Sequence, residues 1–332
     1  MVRTLDLFCG GGCSGWGAKA AGAKIVASVD AWKPAADTYK VNFPRALVVN
    51  KRMERDGVRD LLPASIGAID LLISSPECTN HSIAKGAKPR DEESRSSGWY
   101  VVEAMKELKP RWFVLENVSA LRNWTGYNEL VGAMAELGYN MNSGVLDAAD
   151  FGVPQSRRRL FIVGDRERQP QLPQKSGLPH MPARSILDPV GTWRSKPLYS
   201  LNRSPNTLAR AEAGIAKLGK GADFLVVYYG SDKAGGWQTL DRPLRTLTTL
   251  DRFGLVEWID GVPMLRMLQI PELKRAMGLP QEFSFAGVSR RDQVKILGNG
   301  VCGPVMEAVV RTLTAKVASA AQIDRNLMRR AA

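Results

Sequence analysis

The sequence predicts an α/β protein built on a doubly wound, mostly parallel sheet, with a small loop-rich region inserted late in the chain. Three observations carry this expectation. Runs of aliphatic and β-branched residues alternate with helix-spaced apolar positions through residue 165, the order that builds βαβ units. Glycine, acidic and thiol residues recur just past those runs, at Phe8-Cys9-Gly10, Asp30, Asn50, Pro76-Glu77-Cys78 and Glu116-Asn117. Strand ends of this kind are where open α/β sheets hold ligands. From residue 169 to 193, proline, glutamine, serine and lysine displace the periodic pattern.

In chain order, residues 4–8 read as a first strand, followed by a glycine cluster and a short helix around Ala18. Residues 24–29 form a second strand closed by Asp30, and residues 46–49 a third. Residues 69–74 form a fourth, ended by Pro76, and residues 112–115 a fifth, ended by Glu116. Between these two, Val101, Met105 and Leu108 recur at helical spacing and Pro110 stops the helix. Leu130, Val131, Met134 and Leu137 mark another helix, capped by Gly138. Residues 160–163 read as a strand, and residues 304–317 as a closing helix before a basic tail. The expected division is an α/β domain at 1–165, a second region at 166–240, and a return to the first domain at 241–332.

Apolar residues make up 44% and charged residues 24%, ordinary globular usage that argues against a disordered, collagen-like or coiled-coil chain. No run of about 18 apolar residues occurs, so no membrane span is expected. The first residues lead straight into a strand, so no signal peptide is expected either. The net charge of +13 suggests a polyanionic partner, the alternative being a merely basic surface. Cys9, Cys13, Cys78 and Cys302 form no C-x-x-C pair and only two histidines accompany them. Neither a zinc site nor a disulfide framework is expected, and reduced thiols fit a cytoplasm.

Four segments hold residue types suited to chemistry. The glycine loop after the first strand lets backbone approach a ligand, and Asp30, about 20 residues on, suits a ribose hydroxyl pair. Without a ligand, the same loop reads as a tight strand-to-helix turn. Cys78 follows a rigid Pro-Glu pair, placed either as a nucleophile or as a small buried hydrophobe. The charged stretch behind it, with Lys85, Lys88, Arg90 and Arg95, reads as a loop able to close on an anion. Glu116 follows an apolar strand, where desolvation raises a carboxyl pKa towards a useful acid; a helix-capping acid is the other reading. If residues 157–159 are extended, Arg157 and Arg159 share one face, suited to a carbonyl, a phosphate or the Glu116 carboxylate.

These segments resemble, in order, the motifs of the DNA (cytosine-5)-methyltransferases of compact prokaryotic or phage type. D-L-F-C-G-G-G at Asp6 to Gly12 is similar to their S-adenosylmethionine loop, and S-P-E-C-x-x-x-S at Ser75 to Ser82 to their nucleophile motif. Glu116-Asn117-Val118 matches E-N-V, and Gln155, Arg157 and Arg159 match Q-x-R-x-R. Arg242-Pro243 with Thr246-Leu247-Thr248-Thr249, then Arg266, Glu272 and Leu297-Gly298-Asn299-Gly300-Val301, resemble the later motifs. The resemblance implies a Rossmann-like methyltransferase fold and the cofactor S-adenosyl-L-methionine. Its implied contacts are Phe8, Gly10, Gly12, Asp30, Trp32, Asn50, Pro76, Asn299 and Val301. Cys78 is implied as the nucleophile at cytosine C6, Glu116 as the acid at N3, and Arg159, with Arg157 behind it, as the holder of O2. Residues 166–240 are implied as the target-recognition region, with Arg184, Arg194 and Arg203 on DNA, and Ser82, Lys85 and Lys88 as phosphate contacts from the loop. The implied partner is duplex DNA, with a cognate restriction nuclease or another enzyme acting at the same site. A cytoplasmic monomer is expected.

The pattern departs from the family at four places. Glu77 stands where proline usually precedes the nucleophile, Thr79 where glutamine follows it, Cys13 in place of a glycine, and Asn50 in place of an acid. The alternatives are an RNA (tRNA-type) cytosine-5-methyltransferase and a non-catalytic DNA-binding homologue. Exocyclic-amine methyltransferases carry an aromatic that Ser75-Pro76-Glu77-Cys78 lacks, and a nicotinamide dehydrogenase would not account for the motifs beyond Gly164.

Overall fold

A computed structural model describes residues 1–53, 57–77, 97–229 and 235–315. Five parallel strands, β1 (Arg3–Leu7), β2 (Lys24–Val29), β3 (Leu47–Val49), β4 (Leu71–Ser74) and β5 (Trp112–Val118), alternate with α1 (Cys13–Ala20), α2 (Lys33–Asn42) and α3 (Ser97–Leu108). After α4 (Tyr127–Glu136) come β6 (Asn140–Asp147) and β7 (Arg158–Asp165), and β7 runs antiparallel to both β5 and β6. The sheet order is β3-β2-β1-β4-β5-β7-β6. The chain first winds outward from β1 to β3 and then resumes at β4 on the other side. The crevice between the ends of β1 and β4 is therefore the topological switch point, where ligands of such sheets sit.

Both faces of this sheet are covered, as alternating side chains require. Leu71, Ile73, Val114, Phe161 and Val163 pack on one face with Ala18 of α1 and Tyr39 of α2. Leu72, Phe113, Leu115, Leu160 and Ile162 point to the other, against Val101 and Met105 of α3 and Leu130 and Met134 of α4. Each such side chain contributes about 1.5–3 kcal/mol on burial. The anticipated elements of this half all form, and β5 runs on through Glu116 to Val118 because β7 pairs with its full length. Strand β6 is not anticipated: its residues are mostly half-buried and lack a clean apolar alternation.

The second region is more ordered than its composition suggests. Strands β8 (Lys196–Pro197), β9 (Phe224–Val227), β10 (Trp237–Thr239), β11 (Phe253–Ile259) and β12 (Val262–Met267) form an antiparallel sheet in the order β10-β9-β11-β12-β8. Helix α5 (Pro205–Leu218) covers one face through Ala211, beside Phe224, Val226 and Leu265. The anticipated boundary at residue 240 falls inside this sheet, since β11 and β12 pair with β9 and β8. Local sequence does not reveal such long-range pairing. Leu225, Val227, Phe253 and Leu255 of the opposite face join the larger core, so this sheet and the first share one apolar interior. The chain ends its described part with α6 (Ile270–Ala276), α7 (Arg290–Asn299) and α8 (Gly303–Thr314). Among the described residues, no helix is long and apolar enough to cross a membrane.

Candidate active site

A cavity of about 320 Å³ opens at the switch point. Phe8, Gly10, Asp30, Trp32, Pro76, Glu116, Arg159, Asn299 and Val301 all line it, nine of the residues singled out in the sequence. The turn after β1 is built for close approach. Phe8 and Gly10 both have φ of 52°, left-handed for a bulky residue and for a glycine, and a Cβ on Gly10 would point into open space. Gly10 N–H donates to Asp30 Oδ2 at 2.8 Å and Trp32 N–H to Asp30 Oδ1 at 2.8 Å, so the backbone aims this carboxylate at the cavity. Burial pushes the Asp30 pKa up, against those two hydrogen bonds; Glu77 raises it further and Lys295 lowers it. Lys295 Nζ, from α7, lies 4.0 Å from the Trp32 ring centroid, a cation–π contact at the cavity wall.

Glu116 and Arg159 meet as a diagonal cross-strand pair. Val118 of β5 faces Arg159 of β7, so Glu116, two residues back on the same face, reaches the guanidinium, with Nε 3.3 Å from Oε1. Glu116 is 5% exposed. Burial raises its pKa, and the charges of Arg159 and then Arg157 hold the rise back. This carboxyl therefore keeps its proton to higher pH than an ordinary glutamate. Its neighbour Asn117 donates from Nδ2 to Pro76 O at 3.1 Å, tying β5 to the segment that leads to Cys78. Cys78 itself lies outside the described residues, as do Ser82, Lys85 and Lys88.

Several expected contacts are placed elsewhere. Arg157 precedes β7 rather than sharing its face with Arg159, and does not line the cavity. Its guanidinium is buried and donates to Leu247 O at 2.9 Å and Gly298 O at 2.7 Å. A Cβ on Gly298 would stand 2.3 Å from Thr248 O, so the two backbones meet without side chains between them. Gln155 completes this joint, donating to Ala276 O and accepting from Leu247 N–H at 2.8 Å each. Gln155 and Arg157 thus fix the end of α7, and with it Asn299 and Val301, beside the cavity. Gly12 faces away from the cavity: its φ is 95° and a Cβ would press within 2.9 Å of Phe43, so packing against α2 requires it. Asn50 donates to Asp30 O at 2.9 Å and does not line the cavity; Lys51, Arg52 and Met53 do.

Of the three recognition-region arginines, Arg203 donates to Leu198 O at 3.1 Å and Pro197 O at 2.9 Å, which commits it to shaping its own turn. Arg184 is exposed and pairs loosely with Asp241 at 3.6 Å, and Arg194 is exposed. Sequence reasoning missed Ser97, Tyr100 and Lys295, which line the cavity. Lys295 stands four residues before Asn299, one helical turn away, and that spacing is the signal that could have found it.

Asp6 lies beneath the glycine loop, 1% exposed, accepting from Ser14 Oγ and Tyr39 OH at 3.0 Å each. Burial pushes its pKa up to about 7 from the ordinary 3.8, against those two hydrogen bonds. Between these values the folded chain holds a proton that the unfolded chain has released. Unfolding free energy therefore falls as pH rises through that window, by about 4 kcal/mol at most. Asp6→Asn, neutral throughout, is expected to flatten the decline. Urea unfolding at pH 5 and pH 8 checks this, and an unchanged pH difference in the variant would count against it.

The residues present fit a nucleoside cofactor. The turn leaves open space at Gly10, a carboxylate is aimed by two backbone N–H groups, and Phe8 and Trp32 stand in the wall.

Comparison with known proteins agrees with this geometry. The chain is 29% identical to the type II methyltransferase M.SacI of Streptomyces achromogenes, covering 87% of this chain and 84% of that protein. It is 25% identical to M.MthTI of Methanothermobacter thermautotrophicus over 93% and 96%. M.AgeI of Thalassovita gelatinovora is 33% identical, but the match takes in 51% of this chain and 40% of that protein. A DNMT2 mutant of Spodoptera frugiperda superposes with a TM-score of 0.68 at 19% identity, covering 95% of this chain and 100% of that one. The Entamoeba histolytica methyltransferase EhMeth does so with 0.68 at 17% identity, over 94% and 98%. Both show a common fold. Residues 2–208, more than half of the chain, match the model of one family, and through that match the chain belongs to the C-5 cytosine-specific DNA methylases.

Proposed function

We propose that the chain transfers a methyl group from S-adenosylmethionine to C5 of a cytosine turned out of a short duplex DNA site, by way of a transient bond between Cys78 and ring C6. The observation that carries this reading is the buried Glu116–Arg159 pair, facing the same cavity as the Gly10–Asp30 turn. S-Adenosylmethionine supplies an electrophilic methyl group when bound. Phe8, Gly10, Trp32, Asn299 and Val301, which line the cavity, would hold it, and Asp30 would accept its ribose hydroxyls.

Cytosine C5 is a poor nucleophile, and the protein's task is to enrich it. The Cys78 thiolate adds to C6, forming a carbon–sulfur bond and pushing the ring electrons towards C5. Glu116, holding its proton, donates to N3 and draws density from C6 at the moment of attack. Arg159 holds O2 and keeps Glu116 in place. After methylation the C5 proton leaves to solvent, the electron pair left behind expels the Cys78 thiolate, and N3 returns its proton to Glu116, which restores the neutral ring and the acid. The target base must leave the stack first, at a cost of a few kcal/mol. The charge of +13 suits the phosphates around it. Arg184 and Arg194 are the recognition-region candidates for DNA contact, and Ser82, Lys85 and Lys88 the candidates from the loop.

The other three cysteines do not compete for the role. All are buried. Burial pushes the Cys13 thiol to about 12 and Cys302 to about 11, and Cys9 well above its ordinary value, so none is a thiolate at neutral pH. We take the enzyme to act as a cytoplasmic monomer, with a nuclease of matching specificity as companion, in keeping with relatives named type II methyltransferases. Bisulfite sequencing of plasmid from cells expressing the chain tests the activity. Cys78→Ala is expected to abolish protection of cytosine while leaving affinity for S-adenosylmethionine near that of the parent. Methylation persisting in that variant would overturn the nucleophile assignment.

A further inference from the structure

Ser75 stands one residue past β4, and its N–H donates to Leu7 O at 3.2 Å, so the chain keeps the line of the strand there. Strand β4 pairs with β5 in parallel, Ile73 with Val114 and Ser74 with Leu115. One further step of that register brings Ser75 beside Glu116. Side chains alternate along a strand, so Ser75 shares a face with Ile73, and Glu116 with Val114. Ile73 and Val114 pack on the same side of the sheet. Ser75 and Glu116 therefore lie on one face of adjacent strands, whose backbones run about 4.8 Å apart. Both line the cavity. The serine as a whole is half-buried, but its Oγ is fully buried and makes no hydrogen bond of normal geometry.

Glu116 is thus flanked on both sides. Arg159 stands on the β7 side, with Nε 3.3 Å from Oε1, and Ser75 on the β4 side. Burial raises the Glu116 pKa, and Arg159, Arg157 and then the Ser75 hydroxyl hold it back. The Cys302 thiol, just before α8, also feels this carboxyl; burial pushes it up to about 11, so it stays neutral at physiological pH. We infer that Ser75 is a positioning residue for Glu116: its hydroxyl donates a hydrogen bond to the carboxylate that is left when Glu116 passes its proton to ring N3. This rests on the acid role given to Glu116 above. The proton that moves is the one on Glu116, and Ser75 keeps its own. A donor beside the carboxyl stabilises the anion at the moment it forms, and hydrogen bonds to a charged partner are the stronger kind. Glu116 is the stronger acid for it.

Ser75→Ala deletes the donor and leaves no polar group orphaned, so the thermal midpoint of the variant should not fall. Single-turnover transfer of a tritiated methyl group from S-adenosylmethionine to unmethylated plasmid DNA reads the effect across pH. The rate below the alkaline limb should fall about tenfold, the equivalent of roughly 1.4 kcal/mol. With the donor gone Glu116 holds its proton more tightly, so the limb itself should move to higher pH. In a Glu116→Gln background no carboxylate forms, and adding Ser75→Ala should change the residual rate by less than about twofold. A limb that stays in place in Ser75→Ala would overturn the proposal. So would a second loss of similar size in the Glu116→Gln background, the mark of a structural role. A Glu116→Gln variant as fast as the parent, with its limb intact, would instead sink the acid reading, and the role of Ser75 with it.

Discussion

Glu116→Gln is expected to lower kcat by roughly 10²- to 10⁴-fold, the usual worth of a positioned general acid. The two side chains have nearly the same shape, so packing in β5 should survive. What is lost is the transferable proton. The carboxyl is 5% exposed and raised in pKa by burial, with Arg159 and Arg157 opposing the rise. Activity that needs the protonated form is fully present below that pKa and declines as pH rises through it. In Glu116→Gln the residual activity should lose this alkaline limb. Arg159→Met removes the larger of the two opposing charges, so the Glu116 pKa climbs and the limb moves to higher pH, although the variant is also expected to bind cytosine less well. A pH profile of single-turnover methyl transfer separates the two effects. An alkaline limb that is unmoved in Arg159→Met would show that another group titrates.

Arg266→Met is expected to destabilise the fold by about 3–5 kcal/mol, the scale for leaving buried charge uncompensated. Arg266, in β12, donates to both carboxylate oxygens of Glu272 at 2.8 Å, and its Nε lies 3.4 Å from Glu257 Oε1. The three side chains are at most 2% exposed. Glu272 also accepts from the backbone N–H of Gln269 at 2.7 Å and of Asp188 at 3.0 Å. One guanidinium therefore holds the second sheet, the start of α6 and the strap at Asp188 together. With it gone, two buried carboxylates remain without the guanidinium that both face. Urea unfolding of the parent and the variant reads the loss. A loss well below 1 kcal/mol would mean that the network relaxes or admits water.

The parts of this protein legible in the sequence are those whose cause is local. Strand and helix periods are set by neighbours a few residues apart, and both faces of a parallel sheet are apolar, so β1 to β5, α1, α3 and α4 could be read directly. Strand ends of a doubly wound sheet converge, so Phe8, Gly10, Asp30, Pro76 and Glu116 could be placed at one edge before any coordinates. The misplaced residues share a different character. Arg157 looks equivalent to Arg159 in a run of three arginines, yet one guanidinium lies against the Glu116 carboxylate and the other caps the carbonyls of Leu247 and Gly298. Gly12 looks like part of a ligand turn, yet the rings of α2 fill the space beside it. The recognition region looked irregular because its sheet closes only when residues 253–267 return to pair with residues 196–197 and 224–227.

By itself, then, the sequence determined the winding of the first sheet and the edge at which its strand ends, Asp30 and Glu116 among them, converge. Only the tertiary structure decided which of two arginines faces the cavity, that α3 lends Ser97 to it, and that the second sheet shares the interior of the first. The reason is the range of the forces involved. Periodicity and turn chemistry act over a few residues, whereas burial, desolvation and hydrogen-bond partnership depend on distant segments, as Arg157 shows with its bonds to Leu247 and Gly298, 90 and 141 residues away.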